Sequence, residues 1–437
     1  MSAERVHRAG PALAMICGAL AAFVVAGCAG PPKSRGACSA QPPGCDSGQG
    51  TAESLAGFTW SAAPAPPLSP RFAQASVWTG TELLIWGGVR FNHGLTEAGD
   101  GAAYDPATRA WTPMSASPLS PRNTAFAVWT GTRALFWGGG NGSLPPLADG
   151  ASYDPASRTW AMLPDAPLRP DDRQAIVWTG TQIVVIQSEG GAAFDPATNS
   201  WTAVPALPQV AGCQPFEIGA EWNGSEVITW LAGRPPTVDG VTPSGFCYNA
   251  YSWVPGNAYS WVLGNQAWAV VPSRPGYASF PSGTAAPIGG RLLFLGGTGC
   301  GPGAFCPVQY FFDGSWFDTS SGTWTSLPET FSGGSGPAVW TGSVMVVFQT
   351  KAGATPGPPN SPSDVPPGAA AAFDPSGGAW TDLARCPVPD LTNASLAWTG
   401  RQLIVVTMGD ASGKTPQLEV LSSPVRDTKK QHWSQRP

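Results

Sequence analysis

The chain is poor in the residues on which most enzymes depend. Only 12% of its 437 residues are charged, and it contains just three histidines, so a histidine-based metal centre or acid–base site is not expected. The net charge of −5 comes without basic clusters, which argues against a nucleic-acid-binding surface. No Cys-x-x-Cys pair, P-loop or His-Glu-x-x-His motif occurs. The sequence therefore predicts no metal, no cofactor and no nucleic-acid partner.

Long helices are also not expected, because helix breakers recur every few residues. The chain contains 55 glycines and 47 prolines, an amount that is typical of disordered proteins. However, 42% of the residues are hydrophobic and 20 are tryptophan, so a buried core is expected. Short strands and frequent turns around such a core indicate an all-β protein.

The N-terminus is typical of a secretion signal. Arg5, His7 and Arg8 form a polar start, and an almost wholly apolar run follows from Pro11. The run ends in Val-Ala-Gly-Cys28, which resembles the lipobox of bacterial lipoproteins, where the cysteine becomes the lipidated first residue. The alternatives are a simple membrane anchor, or cleavage that leaves Cys28 an ordinary thiol.

The lipobox resemblance implies a cellular location and two N-terminal segments. Residues 1–27 are then a signal peptide, and residues 28–56 form a flexible tether rich in proline, glycine and serine. The mature protein is expected outside the cytoplasm, held to a bacterial membrane by its N-terminal lipid.

One sequence unit recurs along the chain. Residues 71–111 and 122–160 share Val-Trp-Thr-Gly-Thr, a following Gly-Gly, and Tyr-Asp-Pro with a tryptophan seven positions after the tyrosine. A third copy covers residues 173–201, and weaker copies begin at Glu221, Ile288, Val339 and Ala397. Trp-Thr-Gly and Asp-Pro are both turn signals, so each unit predicts four short antiparallel strands. Most tryptophans occupy repeat positions, which favours packing between repeats over sugar stacking.

The unit resembles the kelch repeat of galactose-oxidase-like propellers. Pro-Arg precedes the first strand, a double glycine follows the second, and an aromatic residue and tryptophan stand at fixed spacing. The resemblance covers residues 57–424 and implies an all-β, seven-bladed β-propeller with four-stranded antiparallel blades. Residues 425–437 then form a C-terminal tail. Seven first turns and seven outer-strand tryptophans support seven blades, with six or eight as alternatives.

The two ends of the repeat array predict circular closure. Trp60 precedes the first complete unit, while the last unit, from Trp398 to about Ser422, lacks an outer-strand tryptophan. We therefore expect the N-terminal strand at Thr59-Trp60 to complete the last blade, which removes an exposed sheet edge.

Cysteine usage agrees with export, because oxidising compartments permit disulfides. Apart from Cys17 and Cys28, the chain has Cys38, Cys45, Cys213, Cys247, Cys300, Cys306 and Cys386. Short spacing favours the pairs Cys300–Cys306 and Cys38–Cys45, and Cys213–Cys247 is a candidate within the fourth unit. The remaining number is odd, so one thiol is free or pairs outside the chain.

The predicted blades have a loop-rich end and a turn end. Inter-blade connections and the long loops between second and third strands share the loop-rich end, at residues 89–100, 140–149, 234–245, 298–313 and 350–367. The Trp-Thr-Gly and Asp-Pro turns share the opposite, turn end. Variable loops on a rigid scaffold commonly carry binding sites, so the ligand is expected at the loop-rich end.

Charged residues at the loop-rich end form the candidate ligand site. Arg71 and Arg122 precede the first strands of units one and two, and Asp100 and Asp149 precede the third strands. The full candidate set for an anionic or hydroxyl-rich ligand is Arg71, Arg90, Asn92, His93, Asp100, Arg122 and Asp149. The alternative is that arginine–aspartate pairs tie the blades together.

Known propeller enzymes offer weaker matches. Copper-radical oxidases need two histidines and two tyrosines at the metal, whereas His93 is the only histidine within the propeller. A sialidase-like site needs three convergent arginines, faintly suggested by Arg71, Arg122 and Arg173, but no nucleophilic tyrosine is evident. Acid–base catalysis by a carboxylate stays open for Asp172, Glu189 and Glu217.

The sequence therefore predicts a binding or interaction module for a protein or carbohydrate ligand. The alternative is a carbohydrate-active enzyme, processing sialic acid or another glycan on the same propeller. Three or more ionisable side chains converging in one pocket would favour the enzyme, and a flat or grooved rim would favour binding.

Overall fold

The fold is all-β, as predicted. The structure, a computed structural model, describes residues 55, 57–91, 94–142, 146–168, 174–208, 214–234, 258–262, 268–271, 284–288, 291–300, 308–327, 337–348, 368–388, 391, 394–409 and 415–422. These residues form 31 strands and no helix. Accordingly, the described part of the chain has no helix suited to crossing a bilayer.

In the described residues, seven four-stranded antiparallel sheets follow one another, and we number them blades 1 to 7. Blades 1 to 3 comprise β3 (Ala75–Trp78), β4 (Leu83–Trp86), β7 (Gly101–Asp105) and β8 (Ala110–Pro113); β9 (Phe126–Trp129), β10 (Ala134–Trp137), β11 (Gly150–Asp154) and β12 (Thr159–Met162); and β13 (Gln174–Trp178), β14 (Ile183–Gln187), β15 (Gly190–Asp195) and β16 (Ser200–Val204). This succession of sheets is that of an all-β propeller.

The remaining blades continue the same order. Blades 4 to 6 comprise β17 (Gln214–Trp222), β18 (Glu226–Arg234), β19 (Ala258–Val262) and β20 (Ala269–Val271); β21 (Thr284–Ile288), β22 (Arg291–Cys300), β23 (Val308–Asp318) and β24 (Thr323–Ser326); and β25 (Ala338–Trp340), β26 (Met345–Phe348), β27 (Ala370–Asp374) and β28 (Ala379–Asp382). Blade 7 comprises β29 (Ser395–Trp398), β30 (Gln402–Thr407), β31 (Gln417–Ser422) and β1 (Thr59–Ala63). A smaller sheet contains β2 (Arg71–Phe72), β5 (Val89–Phe91) and β6 (Leu95–Glu97).

The Trp-Thr-Gly segment forms the tight turn between the first two strands of a blade. In blade 1 the Thr79 N–H donates to the Glu82 carbonyl at 2.9 Å, and the Thr79 hydroxyl accepts the Glu82 N–H at 2.9 Å. Gly80 has a φ of 93°, a left-handed conformation that glycine adopts without a Cβ clash. In blade 4 the Asn223 side chain replaces the threonine hydroxyl and accepts the Glu226 N–H at 2.7 Å.

The fixed spacing of aromatic residue and tryptophan places the two rings side by side on neighbouring strands. Tyr104 lies directly opposite Trp111, and their ring centroids are 5.1 Å apart. Four further pairs repeat this contact at 4.9–5.1 Å, namely Tyr153/Trp160, Phe194/Trp201, Phe317/Trp324 and Phe373/Trp380. The spacing therefore sets the register of the third and fourth strands.

Among the described residues the core consists of seven apolar clusters, each shared by two successive blades. One of these clusters joins blade 7 to blade 1 and contains Ala397 of β29 and Trp78 of β3. The outer edges are tied as well, because the indole N–H of Trp111 in blade 1 donates to the Pro64 carbonyl after β1 at 2.7 Å. Equivalent bonds link Trp160 to Ser115, Trp201 to Pro164, Trp268 to Pro205 and Trp60 to Ala384. The tryptophans thus have the packing role that the repeat predicts.

The N-terminal strand forms the outer edge of blade 7. β1 pairs antiparallel with β31, and Thr59 lies opposite Ser422 while Ala63 lies opposite Leu418. Leu55 and Phe58, just before β1, are buried in the cluster between blades 6 and 7. The two ends of the propeller sequence therefore share one sheet.

Deleting this strand is expected to weaken the whole propeller. Removing residues 28–63 from the mature chain takes away a five-residue ladder and the burial of Leu55, Phe58 and Trp60. We expect the melting temperature to fall by roughly 10 °C, because large buried side chains each contribute a few kcal/mol. Calorimetry of this variant beside one lacking only residues 28–53 is the measurement. Equal melting temperatures for the two variants would argue against closure.

Candidate functional site

The first long loop folds into a small sheet that the sequence did not predict. In this sheet β2, β5 and β6 pair antiparallel, so that Arg71 lies opposite Arg90, and Arg90 lies opposite Thr96. Directly opposed residues share one face of a sheet, so both arginines point the same way. Phe72 and Phe91 lie on the other face, with ring centroids 5.2 Å apart.

Blades 4 and 5 also carry additional β structure at the loop-rich end. β17 and β18 are nine residues each and remain paired out to Gln214 opposite Arg234. β22 and β23 remain paired out to Cys300 opposite Val308. The stretch 298–313, predicted to be a loop, is therefore strand at residues 298–300 and 308–313. The glycine-rich sequence did not indicate this hairpin, because strand pairing depends on the partner strand as well as on β propensity.

Arg71 is fully buried and every one of its side-chain N–H groups has an acceptor. Nη1 and Nη2 donate to the two carboxylate oxygens of Asp100 at 2.7 and 3.2 Å. The other donors reach the Ser69 carbonyl and hydroxyl and the Gly87 carbonyl. No donor of this guanidinium is left for a ligand.

Arg122 repeats this arrangement in blade 2. Its side chain binds Asp149 at 2.7 and 3.1 Å together with Ser120 and the Gly138 carbonyl. Its backbone N–H donates to the Ala98 carbonyl of blade 1, and its carbonyl accepts the Gly88 N–H. Because backbone and side chain bind different blades, this geometry favours the alternative in which arginine–aspartate pairs tie blades together.

The double glycine of blade 1 lets the backbone at Arg122 and at Phe72 approach closely. A Cβ on Gly87 would lie 2.7 Å from the Arg122 carbonyl oxygen, and one on Gly88 would lie 2.8 Å from the Phe72 carbonyl oxygen. Both glycines have positive φ, 72° and 98°. In blade 3, where Gln187 and Ser188 replace the double glycine after the second strand, Gln187 is buried and donates to Gln174 at 3.3 Å.

Arg90, Asp100 and Asp149 are the solvent-accessible members of the candidate set among the described residues. The Arg90 side chain is 32% exposed and donates to Asp100, whose side chain is 48% exposed, at 2.7 Å. Desolvation tends to raise the pKa of Asp100, but hydrogen bonds from Arg71 and Arg90 dominate together and lower it to about 2. Asp149 has one arginine partner, and its hydrogen bonds from Arg122 lower its pKa as well.

Several predicted residues lie outside the described part of the chain. These are Asn92, His93, Asp172, Arg173, Cys28, Cys38, Cys45, Cys213, Cys247 and Cys306. Cys300 ends β22, but its side chain is not among those described. Cys386 is a buried thiol without a disulfide, and burial raises its pKa to about 11. Within the described ranges, no three or more histidine, cysteine, aspartate or glutamate side chains come together in a possible metal site.

The sequence reasoning missed Glu221, the carboxylate with the most unusual surroundings. Glu221 retains some accessible surface, yet it lies so deep among protein atoms that burial raises its pKa to about 8. The available signal was Glu-Trp-Asn-Gly in the fourth unit, where four other units have Val-Trp-Thr-Gly. By contrast, Glu189 is exposed in a turn of blade 3.

Replacing the buried arginines is expected to cost stability. Arg122→Gln leaves Asp149 without its guanidinium, so we expect a loss of roughly 3 kcal/mol in unfolding free energy. Arg133→Gln is the matched control, because Arg133 is 44% exposed and its pair with Asp154 spans 3.5 Å. Denaturant unfolding measures both variants. A ligand affinity that falls while stability stays unchanged would restore the binding role of Arg122.

No family model matches the chain, and no curated protein matches it. A solved structure titled "Structure of YjhT" is similar to 74% of this chain and 100% of that chain, at 16% sequence identity and a TM-score of 0.46. The assignment to an all-β propeller therefore rests on the strands and sheet pairings of this chain.

Proposed function

We propose that the chain is a lipid-anchored, extracytoplasmic, kelch-type propeller of seven blades that binds a protein or carbohydrate ligand. The ligand binds at the loop-rich end. The observation that carries this proposal is the concentration of additional β structure at that end, in β2/β5/β6 and in the extended hairpins of blades 4 and 5. Elaborated connections on a rigid scaffold are a common location for recognition.

The direction of the terminal strands supports this assignment of the ends. Thr59 at the start of β1 and Gln402 at the start of β30 both lie opposite Ser422. Gln402 follows a Trp-Thr-Gly turn, so the chain enters and leaves the propeller at the turn end. A tether from Cys28 then leads to the turn end, which leaves the loop-rich end accessible to a ligand.

The small sheet offers two kinds of contact surface. One face presents the half-exposed Arg90–Asp100 pair, which suits polar or charged groups. The other face carries Phe72 and Phe91, and Leu95 beside them is 51% exposed. Exposed apolar side chains beside a charged rim are typical of interaction surfaces.

The electrostatics favour binding over the enzyme alternative. Arg71, Arg90 and Asp100 do converge, which is the arrangement that an enzyme would need. However, the pKa of Asp100 is about 2, so its carboxylate stays ionised and is a weak base near neutral pH. Arg71 has all its donors occupied. The cluster is therefore better suited to holding a surface in shape than to transferring a proton.

Mass spectrometry of the mature protein tests the anchor. We expect the N-terminus at Cys28 with diacylglyceryl and acyl modification when the full chain is produced in a bacterial host. Cys28→Ser is expected to abolish the modification and release the protein from the membrane fraction. An unmodified N-terminus beyond residue 28 in the wild type would overturn the anchor.

A face-specific binding experiment tests the function. Wild-type protein is screened on a glycan array and in pull-downs, and each hit is titrated against Leu95→Arg at the loop-rich end and Thr81→Arg at the turn end. We expect Leu95→Arg to weaken binding by about tenfold or more, because a charge replaces an apolar contact. Thr81→Arg is the matched control and is expected to bind as the wild type does.

Two outcomes would contradict the proposal. An equal loss of affinity in both variants would show that the ligand does not bind specifically at the loop-rich end. Conversion of a glycan hit into product by the wild type would support the carbohydrate-active enzyme instead.

A further inference from the structure

One residue pair recurs at the inner edge of the blade interfaces. The tryptophan of a first turn packs against the preceding blade. The same cluster contains a residue of that preceding blade, the one just before its own first-turn position. Six interfaces contain this pair: Val77/Trp129, Val128/Trp178, Val177/Trp222, Ala286/Trp340, Val339/Trp398 and Ala397/Trp78. In each case a small aliphatic side chain meets a large aromatic one.

The interface between blades 4 and 5 departs from this rule at both positions. Pro287 pairs with Leu292 as Trp78 pairs with Leu83, so proline occupies the tryptophan position of blade 5. Trp222 of blade 4 is preceded by Glu221, which occupies the valine position. Neither residue belongs to the apolar cluster that blades 4 and 5 share. We call these two positions the Glu–Pro joint.

Strand alternation directs Glu221 toward blade 5. Ala220 and Trp222 pack into the cluster between blades 3 and 4, so the intervening residue points to the opposite face. Ile228 lies directly across from Glu221 on β18 and is buried with Ala285 and Leu292 of blade 5. No hydrogen bond or ion pair reaches the Glu221 carboxyl within the described part of the chain.

No described charge compensates this carboxyl. β21 has no titratable residue, and the residues of β18 and β22 in the shared cluster are apolar. Glu217 is the other titratable residue in the sequence of β17. Glu226 begins β18 at the turn end, and the guanidinium of Arg291 lies 4.7 Å from the Trp316 ring, which belongs to the interface between blades 5 and 6.

We propose that the Glu–Pro joint makes the contact between blades 4 and 5 a proton-controlled hinge of the propeller. With Glu221 protonated, the neutral carboxyl is tolerated between the blades. With Glu221 ionised, a charge without a described partner lies largely among apolar side chains, and separating the two inner strands increases its access to water. The two blades that flank the joint are those with extended hairpins at the loop-rich end, so opening of the joint alters the spacing of these hairpins.

The direction of the pH dependence follows from the raised pKa. Burial raises the pKa of Glu221 from its ordinary 4.5 to about 8 in the closed joint. The closed joint therefore binds a proton more tightly than the open one, and raising the pH favours opening. The effect starts near pH 4.5 and levels off above about pH 8.

Hydrogen exchange of the mature protein tests the hinge. Protection factors of amides in β17 and β21 are measured from pH 5 to 9, after correction for intrinsic exchange. We expect local opening to increase by up to about tenfold per pH unit between about pH 5 and 8. Amides of β3 and β9, which flank the Val77/Trp129 interface, are expected to stay constant.

Three variants separate the carboxyl from other causes. Glu221→Gln keeps the shape without the charge, and Glu221→Val restores the residue found at four other interfaces. Both variants are expected to remove the pH dependence. Glu189→Gln changes an exposed carboxyl and is expected to behave as the wild type. A pH dependence that persists in Glu221→Gln, or that spreads equally to β3 and β9, would overturn the hinge.

Discussion

The packing of each blade against its two neighbours is the constraint on which the rest of this structure depends. A four-stranded sheet of this size has two apolar faces and cannot bury them alone, so every blade requires the next. The contacts occur at two radii, with an aliphatic–tryptophan pair near the inner strand and an indole–carbonyl hydrogen bond at the outer strand. The spacing between the aromatic residue and the tryptophan recurs from unit to unit because both contacts must form together.

This constraint also decides how charge is used. Arg71 and Arg122 are buried at interfaces, but each is neutralised by an aspartate and saturated by carbonyl and hydroxyl acceptors. Glu221 is also at an interface, yet it has no partner among the described residues. A buried charge with full compensation holds two blades together, whereas one without compensation weakens the contact. Compensated charge therefore accompanies the fixed contacts at the loop-rich end of blades 1 and 2, whereas the proposed titratable joint lies near the turn end of blade 4.

The sequence predicted those features that repeat, and missed those that do not. Tyr104 and Trp111 appear in register because turn and spacing recur, so their pairing is readable from one chain. The sheet of β2, β5 and β6 occurs once, within a loop that has no periodic pattern. The role of Arg71 stayed open because burial and the count of acceptors are properties of the folded chain. Glu221 replaces the valine that four other units have at this position. However, the turn that follows still forms, so the replacement alone did not indicate a special role.

The departures from the repeat are concentrated in neighbouring blades, and there is a physical reason for this. A blade that must match its neighbours at every contact tolerates few changes, whereas one relaxed interface permits more. Replacement of tryptophan by Pro287 removes the largest inner contact of blades 4 and 5, and the flanking strands β17 and β22 are longer than their equivalents elsewhere. The additional hydrogen bonds of these long hairpins stabilise each blade internally. Blades 4 and 5 thus combine longer internal ladders with an interface that lacks the inner tryptophan, which is the arrangement that the proposed joint requires.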